Sequence, residues 1–459
     1  MSVLRRVLTR AALLALLGTI GGGCGDDVAP ARAQWLIRVQ TDAPIPQFGD
    51  RILVELVDDR GELACSECRR IFGIREERQL PLSFGIADTG RANLRLRVRM
   101  FRADHSTAGG QPREGLPLDY LGSLPVTGGD VRRLRVDLRL VCAGIEADLG
   151  ANTACDAAGA RAAVRAVDID DDGLLGPSAL TGSEPCDSVP AGMVCVPGAI
   201  FALGRAQGSA DFDPLAASVP ERLTRVSSFA MDRTEMTVAE LRALVDAGKV
   251  SAPVTHTSAP VCNYTVKPGE YDQFPVNCIP WDDAAAACEA LGKRLPTEAE
   301  WELAAGNGAE ETTYPWGESD DTCAQSIVGR GRTPFEGADN DVSLLCRNPG
   351  DGSLLPWGTV PVDQGNDVTK LGIRHLGGNV TEWTADFAHA YTECFANEHP
   401  LVNPRCRTAS PSLSAGETIV VRGSNWQERG YNASATVRAF APNGPLPTVG
   451  FRCVRGGGP

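Results

Sequence analysis

Hydrophobic and polar residues alternate strictly in several short stretches of the first third of the chain. Leucine, valine and methionine alternate with arginine at residues 94–100 and, with one aspartate, at 133–140, and the apolar positions of residues 35–41 follow the same period. A period of two with one polar face is typical of antiparallel strands that leave one side of their sheet in water. We therefore predict a small antiparallel β-sandwich over residues 34–145, with its second strand at 52–57. The alternating arginines would form the solvent-facing side of this sheet, where they keep the protein soluble. The alternative is that this side binds polyanions.

Residues 146–190 are rich in alanine, glycine and aspartate and have the composition of a linker. Asp168, Asp170 and Asp172 within it alternate and are followed by Gly173, an arrangement that can wrap one calcium ion with oxygen ligands. The glutamate that completes an EF-hand loop would fall on Ala179. A minimal calcium loop and a solvated acidic turn therefore remain equal alternatives.

Helical signals begin after residue 190. An amphipathic helix is predicted at residues 238–247, and an alanine-rich helix that ends at Gly292 follows it. Thr297 and Glu300 have the spacing of a capping box, which predicts a helix that runs to Ala305 and ends at Gly306.

The N-terminus has the layout of an export signal. Arginines at 5, 6 and 10 precede an apolar stretch at 11–20 that is too short to span a bilayer, and three glycines precede Cys24. This layout predicts a lipoprotein signal peptide at 1–23, an acylated Cys24 and a tether at 24–33. The protein would then be exported and held on a membrane of the bacterial envelope, in the periplasm or at the cell surface. The alternative is an ordinary signal peptide whose Cys24 enters a disulfide.

Cysteine number and net charge agree with export. The chain of 459 residues has 15 cysteines, so 14 remain for disulfides once Cys24 is set aside. For this reason Cys65 and Cys68 are predicted to form disulfides rather than half of a zinc site. The formal net charge of −14 excludes a dedicated nucleic-acid binder, so no nucleic-acid partner is expected.

Four motifs follow one another in the second half of the chain. They are K-R-L-P-T-E-A-E-W-E at 293–302, P-W-G at 315–317, G-N-V-T-E-W at 378–383 and G-F-R-C at 450–453. Their order resembles the formylglycine-generating enzyme family, also called sulfatase-modifying factors, over residues 191–456. The resemblance implies an α+β chain in which a C-type-lectin-like formylglycine-generating-enzyme fold follows the β-sandwich.

The resemblance also implies where activity would reside. Active members hold Cu(I) with two cysteine thiolates and oxidise a sulfatase cysteine to formylglycine. In the family the two cysteines follow a G-G-S motif, which R-G-S at 422–424 resembles. Counted from Ser424, the two positions fall near Gln427 and Asn432, and no cysteine occurs between residues 406 and 453. Amide side chains do not replace thiolates as Cu(I) ligands, so copper is not expected. We predict a non-catalytic binding or structural module for an unidentified protein or glycan, without catalytic residues. The alternative is an active formylglycine-generating oxidase.

Calcium is a further implication of the family resemblance. The loop that matches G-N-V-x-E-W would bind the ion through the backbone carbonyls of Gly378 and Val380 and the carboxylate of Glu382. His375, a poor calcium ligand, stands where the family has asparagine or aspartate. The alternative is a loop that has kept its backbone shape without an ion.

The family also implies one disulfide, between Cys288 and Cys453. The remaining twelve cysteines would then form six local bridges. Neighbours in sequence suggest pairs, although the connectivity cannot be deduced from the sequence: Cys142–Cys155, Cys186–Cys195 and Cys262–Cys278.

Overall fold

The computed structural model shows strands joined by long loops, with few helices. It describes residues 33–113, 116–164, 173–205, 218–330, 345–395, 399–408, 419–428 and 430–458.

Two sheets that enclose one hydrophobic cluster form the N-terminal region. The first sheet has the order β4-β1-β7 and the second the order β3-β2-β5-β6. The strands are β1 Gln34–Thr41, β2 Arg51–Val57, β3 Arg69–Gly73, β4 Leu82–Ala87, β5 Leu94–Phe101, β6 Leu118–Leu124 and β7 Val131–Leu138.

One strand pair corrects the prediction of a purely antiparallel region. β1 and β7 run parallel, with Gln34 opposite Val131 and Thr41 opposite Leu138. Parallel pairing needs a crossover, and the long chain between these two strands provides it. The alternation along β1 and β7 predicted both strands correctly. It does not indicate whether a neighbouring strand runs parallel or antiparallel.

The prediction that the arginines of β5 face solvent is wrong. Arg95 and Arg99 are buried, and Arg97 is only 12% exposed. Arg99 Nη2 donates to Glu55 Oε2 at 2.5 Å, and Arg97 Nη2 donates to Asp119 Oδ2 at the same distance. Arg97 and Arg99 therefore form ion pairs inside the protein, and Arg95 donates to the backbone carbonyls of Asp58 and Leu149. No polyanion reaches these buried groups.

Part of the segment predicted as a linker covers this face of the sheet. Strands β8 (Thr153–Cys155) and β9 (Arg161–Ala163) form a hairpin that the Cys142–Cys155 disulfide attaches to the end of β7. Apolar side chains of the segment pack on the second sheet, in a cluster of Val57, Leu121, Ala147 and Ala154. Residues 146–164 therefore belong to the N-terminal region.

The described part of the second half contains three small sheets, the three predicted helices and two short helices that were not predicted. The sheets have the orders β10-β13-β19, β11-β12-β15 and β17-β16-β14-β18. The strands are β10 Met193–Val196, β11 Ala199–Leu203, β12 Arg222–Val226, β13 Phe229–Asp232, β14 Thr381–Phe387, β15 Leu401–Val402, β16 Ile419–Arg422, β17 Arg438–Ala441, β18 Val449–Gly450 and β19 Val454–Gly456. The helices are α1 Val238–Asp246, α2 Trp281–Ala290, α3 Glu298–Ala305, α4 Thr322–Gln325 and α5 Tyr391–Cys394.

Capping boxes begin two of the helices. At the start of α3, the Glu300 amide donates to Thr297 Oγ1 at 3.2 Å, and the Thr297 amide donates to Glu300 Oε2 at 2.9 Å. Thr237 and Glu240 form the same reciprocal pair at the start of α1. The predicted bounds of both helices are therefore confirmed to within a residue or so.

The two halves of the chain share a hydrophobic core. Ile200 and Ala202 of β11 and Leu223 of β12 belong to the same buried cluster as the inner faces of β1, β2 and β5. The junction is therefore packed in the manner of a protein interior.

Candidate functional site

Helix α3 carries the most specific motif of the sequence and is buried along its whole length, including its three glutamates. Glu300 completes the capping box, whereas Glu298 and Glu302 face strands β16 and β17. Arg422 forms ion pairs with both of these carboxylates, and Arg438 Nε lies 2.6 Å from Glu298 Oε1. Buried charges are tolerated here because each one is paired and hydrogen-bonded.

A second buried ion pair joins β14 to the closing motif. Arg452 Nη2 donates to Glu382 Oε1 at 2.6 Å, and Arg452 Nε lies 2.8 Å from both carboxylate oxygens. The indole nitrogen of Trp301 donates to Glu382 Oε2 at 2.9 Å. The motifs at 293–302, 378–383 and 450–453 thus meet in one polar network in the interior.

This network bears on the predicted calcium loop. Gly378, Val380 and Glu382 are all buried, but both oxygens of Glu382 already accept hydrogen bonds and the Arg452 guanidinium lies against them. A cation adjacent to the carboxylate repels a divalent ion, so Glu382 does not fit calcium in this arrangement. Burial, with the charge of Arg452 second, lowers the pKa of His375 to about 3, so its ring is neutral at pH 7.

The positions of the family's copper-binding pair lie just beyond β16. Ser424 is buried, Gln427 is exposed and Asn432 is partly buried. Asn425 Oδ1 accepts from the Gln427 amide at 3.0 Å, and Asn432 Nδ2 donates to Glu428 Oε2 at 2.7 Å. The segment therefore presents carboxamides, which are not ligands for Cu(I).

Gly423 lets this segment approach the interior closely. Its φ is +77°, and a Cβ at this position would lie 2.6 Å from the Leu376 carbonyl oxygen and 3.1 Å from the Trp301 ring. The backbone thus reaches the buried network without a side chain between them.

The described residues contain fourteen cysteines, and all of them form disulfides. The family-implied pair Cys288–Cys453 is confirmed, as are the three suggested local pairs. The other bridges are Cys65–Cys68, Cys323–Cys346 and Cys394–Cys406. No thiolate is therefore left for a metal in the part of the chain that the structure describes, and no group of three or more acidic, histidine or cysteine side chains is arranged there to hold one.

Two predicted sites fall outside the described residues. They are the lipidation site, Cys24, and the acidic loop with Asp168, Asp170 and Asp172. Within the described ranges, no helix is long and apolar enough to cross a membrane.

Sequence reasoning missed a cluster of charged residues at the junction of the two halves. Arg102 Nη1 donates to Glu311 Oε2 at 2.6 Å, and Arg102 Nη2 donates to Glu221 Oε1 at 3.1 Å. The two carboxylates follow Arg102 by 209 and 119 positions, respectively. No local spacing signals contacts over such separations.

Comparison with known proteins resolves the identity of the second half. Residues 178–456 match the family model of the sulfatase-modifying factor enzyme 1-like domain. The chain belongs to the sulfatase-modifying factor family. The match contains the predicted range of 191–456 and begins before β10, in the part of the chain that leads into the first sheet of the domain.

Curated relatives in this family bear names of both active and inactive proteins. A formylglycine-generating enzyme of Thermomonospora curvata is 28% identical over 302 residues, which cover 57% of this chain and 92% of that protein. The bovine "inactive C-alpha-formylglycine-generating enzyme 2" is 30% identical over 192 residues, 40% of this chain and 52% of the relative. Family membership alone therefore does not decide activity.

Solved structures include similar chains. PvdO from Pseudomonas aeruginosa is 22% identical, with a TM-score of 0.39, and the match covers 57% of this chain and 93% of PvdO. CarF is 18% identical, with a TM-score of 0.37, over 58% of this chain and 98% of CarF.

Proposed function

We propose that this protein is a lipid-anchored envelope protein whose sulfatase-modifying-factor domain is a non-catalytic binding or structural module. One observation carries the proposal: every described cysteine is in a disulfide, and the positions predicted for the copper-binding pair fall near Gln427 and Asn432, whose carboxamides take part in local hydrogen bonds or lie beside them. Oxidation of a substrate cysteine by the family's chemistry needs the two thiolates. The chain retains the scaffold without those groups.

The buried network supports a scaffold role for the family motifs. Glu298, Glu302 and Glu382 are fully engaged by arginines, so they hold α3, β14, β16 and the closing segment together. Residues that are satisfied in this way stabilise the fold and are not available to bind substrate. The signature motifs can therefore persist in a domain without catalytic activity.

The partner that we propose is a protein or glycan of the envelope. The domain would present its loops in the manner of a C-type-lectin-like fold, with the two N-terminal sheets as a small sandwich in front of it. A net charge of −14 supports a partner other than nucleic acid.

Turnover of a substrate peptide tests the absence of catalysis. The full chain is incubated with Cu(I), oxygen, a thiol reductant and a C-x-P-x-R peptide, with the Thermomonospora curvata relative as the positive control. We expect formylglycine from the relative and none from this chain by mass spectrometry. Copper-dependent formylglycine formation by this chain would overturn the proposal and establish the oxidase.

Metabolic labelling tests the anchor. Seven disulfides are typical of an exported protein, and acylation of Cys24 would hold it on a membrane. Wild type is expected to incorporate labelled palmitate and Cys24→Ser to incorporate none. Equal labelling of both would contradict the anchor.

Calcium binding is proposed only for the loop with Asp168, Asp170 and Asp172, because Glu382 is already engaged by Arg452. Carboxylates at alternate positions before a glycine suit a hard cation. Titration calorimetry with CaCl₂ should show one site in wild type and none in Asp170→Asn. Identical titrations would contradict this proposal.

A further inference from the structure

A cavity of about 280 Å³ lies where the two halves of the chain meet. Arg102 and His105 line it from the segment after β5, and Glu221, Glu311, Ser434 and Thr436 line it from the family domain. Neither Ser424 nor the two positions of the copper pair are among its lining residues. The cavity is therefore separate from the family's catalytic position and needs the N-terminal region to exist.

Most charges around the cavity already have partners. Arg102 bridges Glu221 and Glu311, and Glu311 Oε1 also accepts from the Ala202 amide at 2.9 Å. Glu302, at the inner wall, is paired with Arg422. These groups form the rigid frame of the site.

One oxygen of the frame lacks a hydrogen bond. Glu221 is only 5% exposed, and its Oε2 accepts no hydrogen bond from any described residue. His105 Nδ1 lies 3.5 Å from this oxygen. A buried carboxyl oxygen without a partner is unfavourable, because it has lost its hydrogen bonds to water. When Glu221 is ionised, such an oxygen at a cavity wall needs a donor, which a ligand in the cavity can supply.

The charge around the cavity indicates the kind of donor. Four carboxylates line it, those of Asp104, Glu221, Glu302 and Glu311. Because Arg422 pairs with Glu302, three carboxylates remain against the two guanidinium groups of Arg102 and Arg205. Its volume of about 280 Å³ lies just below the range of about 300–1,000 Å³ that is common for ligand pockets, so the ligand has the size of a monosaccharide or an amino acid. We propose that the cavity binds a small ligand that carries a primary ammonium group, which donates a hydrogen bond to Glu221 Oε2. This inference goes beyond the proposed function, because it holds whether or not the domain is catalytic.

Protonation adds a signature to the proposed binding. Burial raises the pKa of Glu221 to about 8, so its carboxyl is largely protonated at pH 7. Burial, with the charge of Arg102 second, lowers the pKa of His105 to about 4, so this imidazole is neutral. An ammonium beside Glu221 favours the carboxylate, and binding should therefore release a proton. The charged and titratable groups that face Glu221 and His105 are Arg102, Asp104, Arg113, Glu302 and Glu311.

Matched amines and alcohols test the proposal with the full chain. D-glucosamine is compared with D-glucose, and ethanolamine with ethylene glycol, by ligand-observed NMR and titration calorimetry at pH 7. We expect saturable binding of at least one amine, at least tenfold tighter than its hydroxyl counterpart, with an enthalpy that varies with the ionisation enthalpy of the buffer. Equal binding within both pairs, or no binding of either amine, would overturn the proposal.

Substitutions place the binding at this cavity. Glu221→Gln should weaken amine binding at least tenfold and abolish proton release, whereas the same change at exposed Glu289 should alter neither. If near-UV circular dichroism shows that Glu221→Gln does not fold, the Asp104→Asn variant, changed at the rim of the cavity, takes its place. We expect it to bind the amine at least threefold more weakly than wild type. Wild-type binding by the deciding variant would overturn the assignment.

Discussion

The N-terminal region and the family domain both bury charged residues, but they hold them in different ways. In the N-terminal region the pairs join neighbouring strands of one sheet, as in Arg99–Glu55. In the family domain, α3 pairs with arginines from strands more than 100 positions away. The disulfides differ in the same sense. Partners are 3 and 13 positions apart in Cys65–Cys68 and Cys142–Cys155, but 165 apart in Cys288–Cys453.

This difference shows how each half keeps its shape. Alternating apolar residues build the N-terminal core, and its ion pairs are added between strands that already pair. The family domain has little regular structure, so a few long-range polar and covalent contacts define its chain path. Changes to those contacts should therefore have the larger effect on stability.

Removal of the long disulfide should give the largest loss. In the chain-entropy model, the double variant Cys288→Ala/Cys453→Ala loses roughly 4–5 kcal/mol of unfolding free energy, because the bridge closes a very long loop. The matched variant Cys65→Ala/Cys68→Ala should lose about a third as much, because its loop is short. Urea denaturation measures both losses. Equal losses of unfolding free energy in the two double variants would contradict the larger role assigned to the long-range disulfide.

Loss of a buried guanidinium should have the next largest effect. Arg452→Met leaves the Glu382 carboxylate buried with only Trp301 as a donor and should cost about 3–5 kcal/mol. Lys370→Met breaks the exposed pair with Glu310 and should cost less than about 1 kcal/mol. Chemical denaturation compares the two variants. A loss below about 1 kcal/mol for Arg452→Met would mean that the network is not important for stability.

The corresponding change in the N-terminal region should cost less. Arg99→Met removes one partner of Glu55, but Glu55 retains Arg69, whose Nε lies 2.8 Å from Oε1. We expect a loss of about 1–3 kcal/mol, the usual range for a hydrogen bond to a charged group. A loss as large as that of Arg452→Met would remove the distinction between the two regions.

The smallest predicted effect is a dependence on pH. Burial raises the pKa of Glu235 to about 8, and its Oε2 has no hydrogen-bond partner among the described residues. The folded protein therefore holds this proton above pH 4.5, where the unfolded chain has lost it. The stabilisation is complete below pH 4.5 and is lost as pH rises through 8.

Glu235→Gln tests this dependence. Between pH 5 and pH 8, the unfolding free energy of wild type should fall by at least ~1 kcal/mol more than that of the variant. Glu289→Gln, at an exposed position, serves as the control and should follow wild type. Parallel curves for all three proteins would contradict the prediction for Glu235.

Local signals in the sequence predicted where helices and strands lie better than they predicted which other segments pack against them. Thr297 and Glu300 located the start of α3 because a capping box involves only four consecutive residues. The alternation of β5 predicted a strand correctly, but not the burial of Arg99, because the covering hairpin comes some 50 residues later. The parallel pairing of β1 and β7 was missed for a similar reason.

The candidate sites show the same limit. The family resemblance implied the partners Cys288 and Cys453, which the structure confirms. That the positions of the copper ligands fall near Gln427 and Asn432 stays a prediction. The sequence did not reveal that the glutamates of those motifs would be held by arginines. The Glu221 cavity could not be predicted at all, because its walls come from two regions with no shared local pattern.

Copper binding tests the central claim most directly. The Cys24→Ser variant, which removes the one cysteine outside the described residues, is titrated with Cu(I) in competition with a chromophoric chelator. Because all other cysteines are in disulfides, the account predicts that the chelator keeps all of the copper. Retention of one Cu(I) per chain against the chelator would show that a thiolate site exists and would contradict the assignment of a non-catalytic domain.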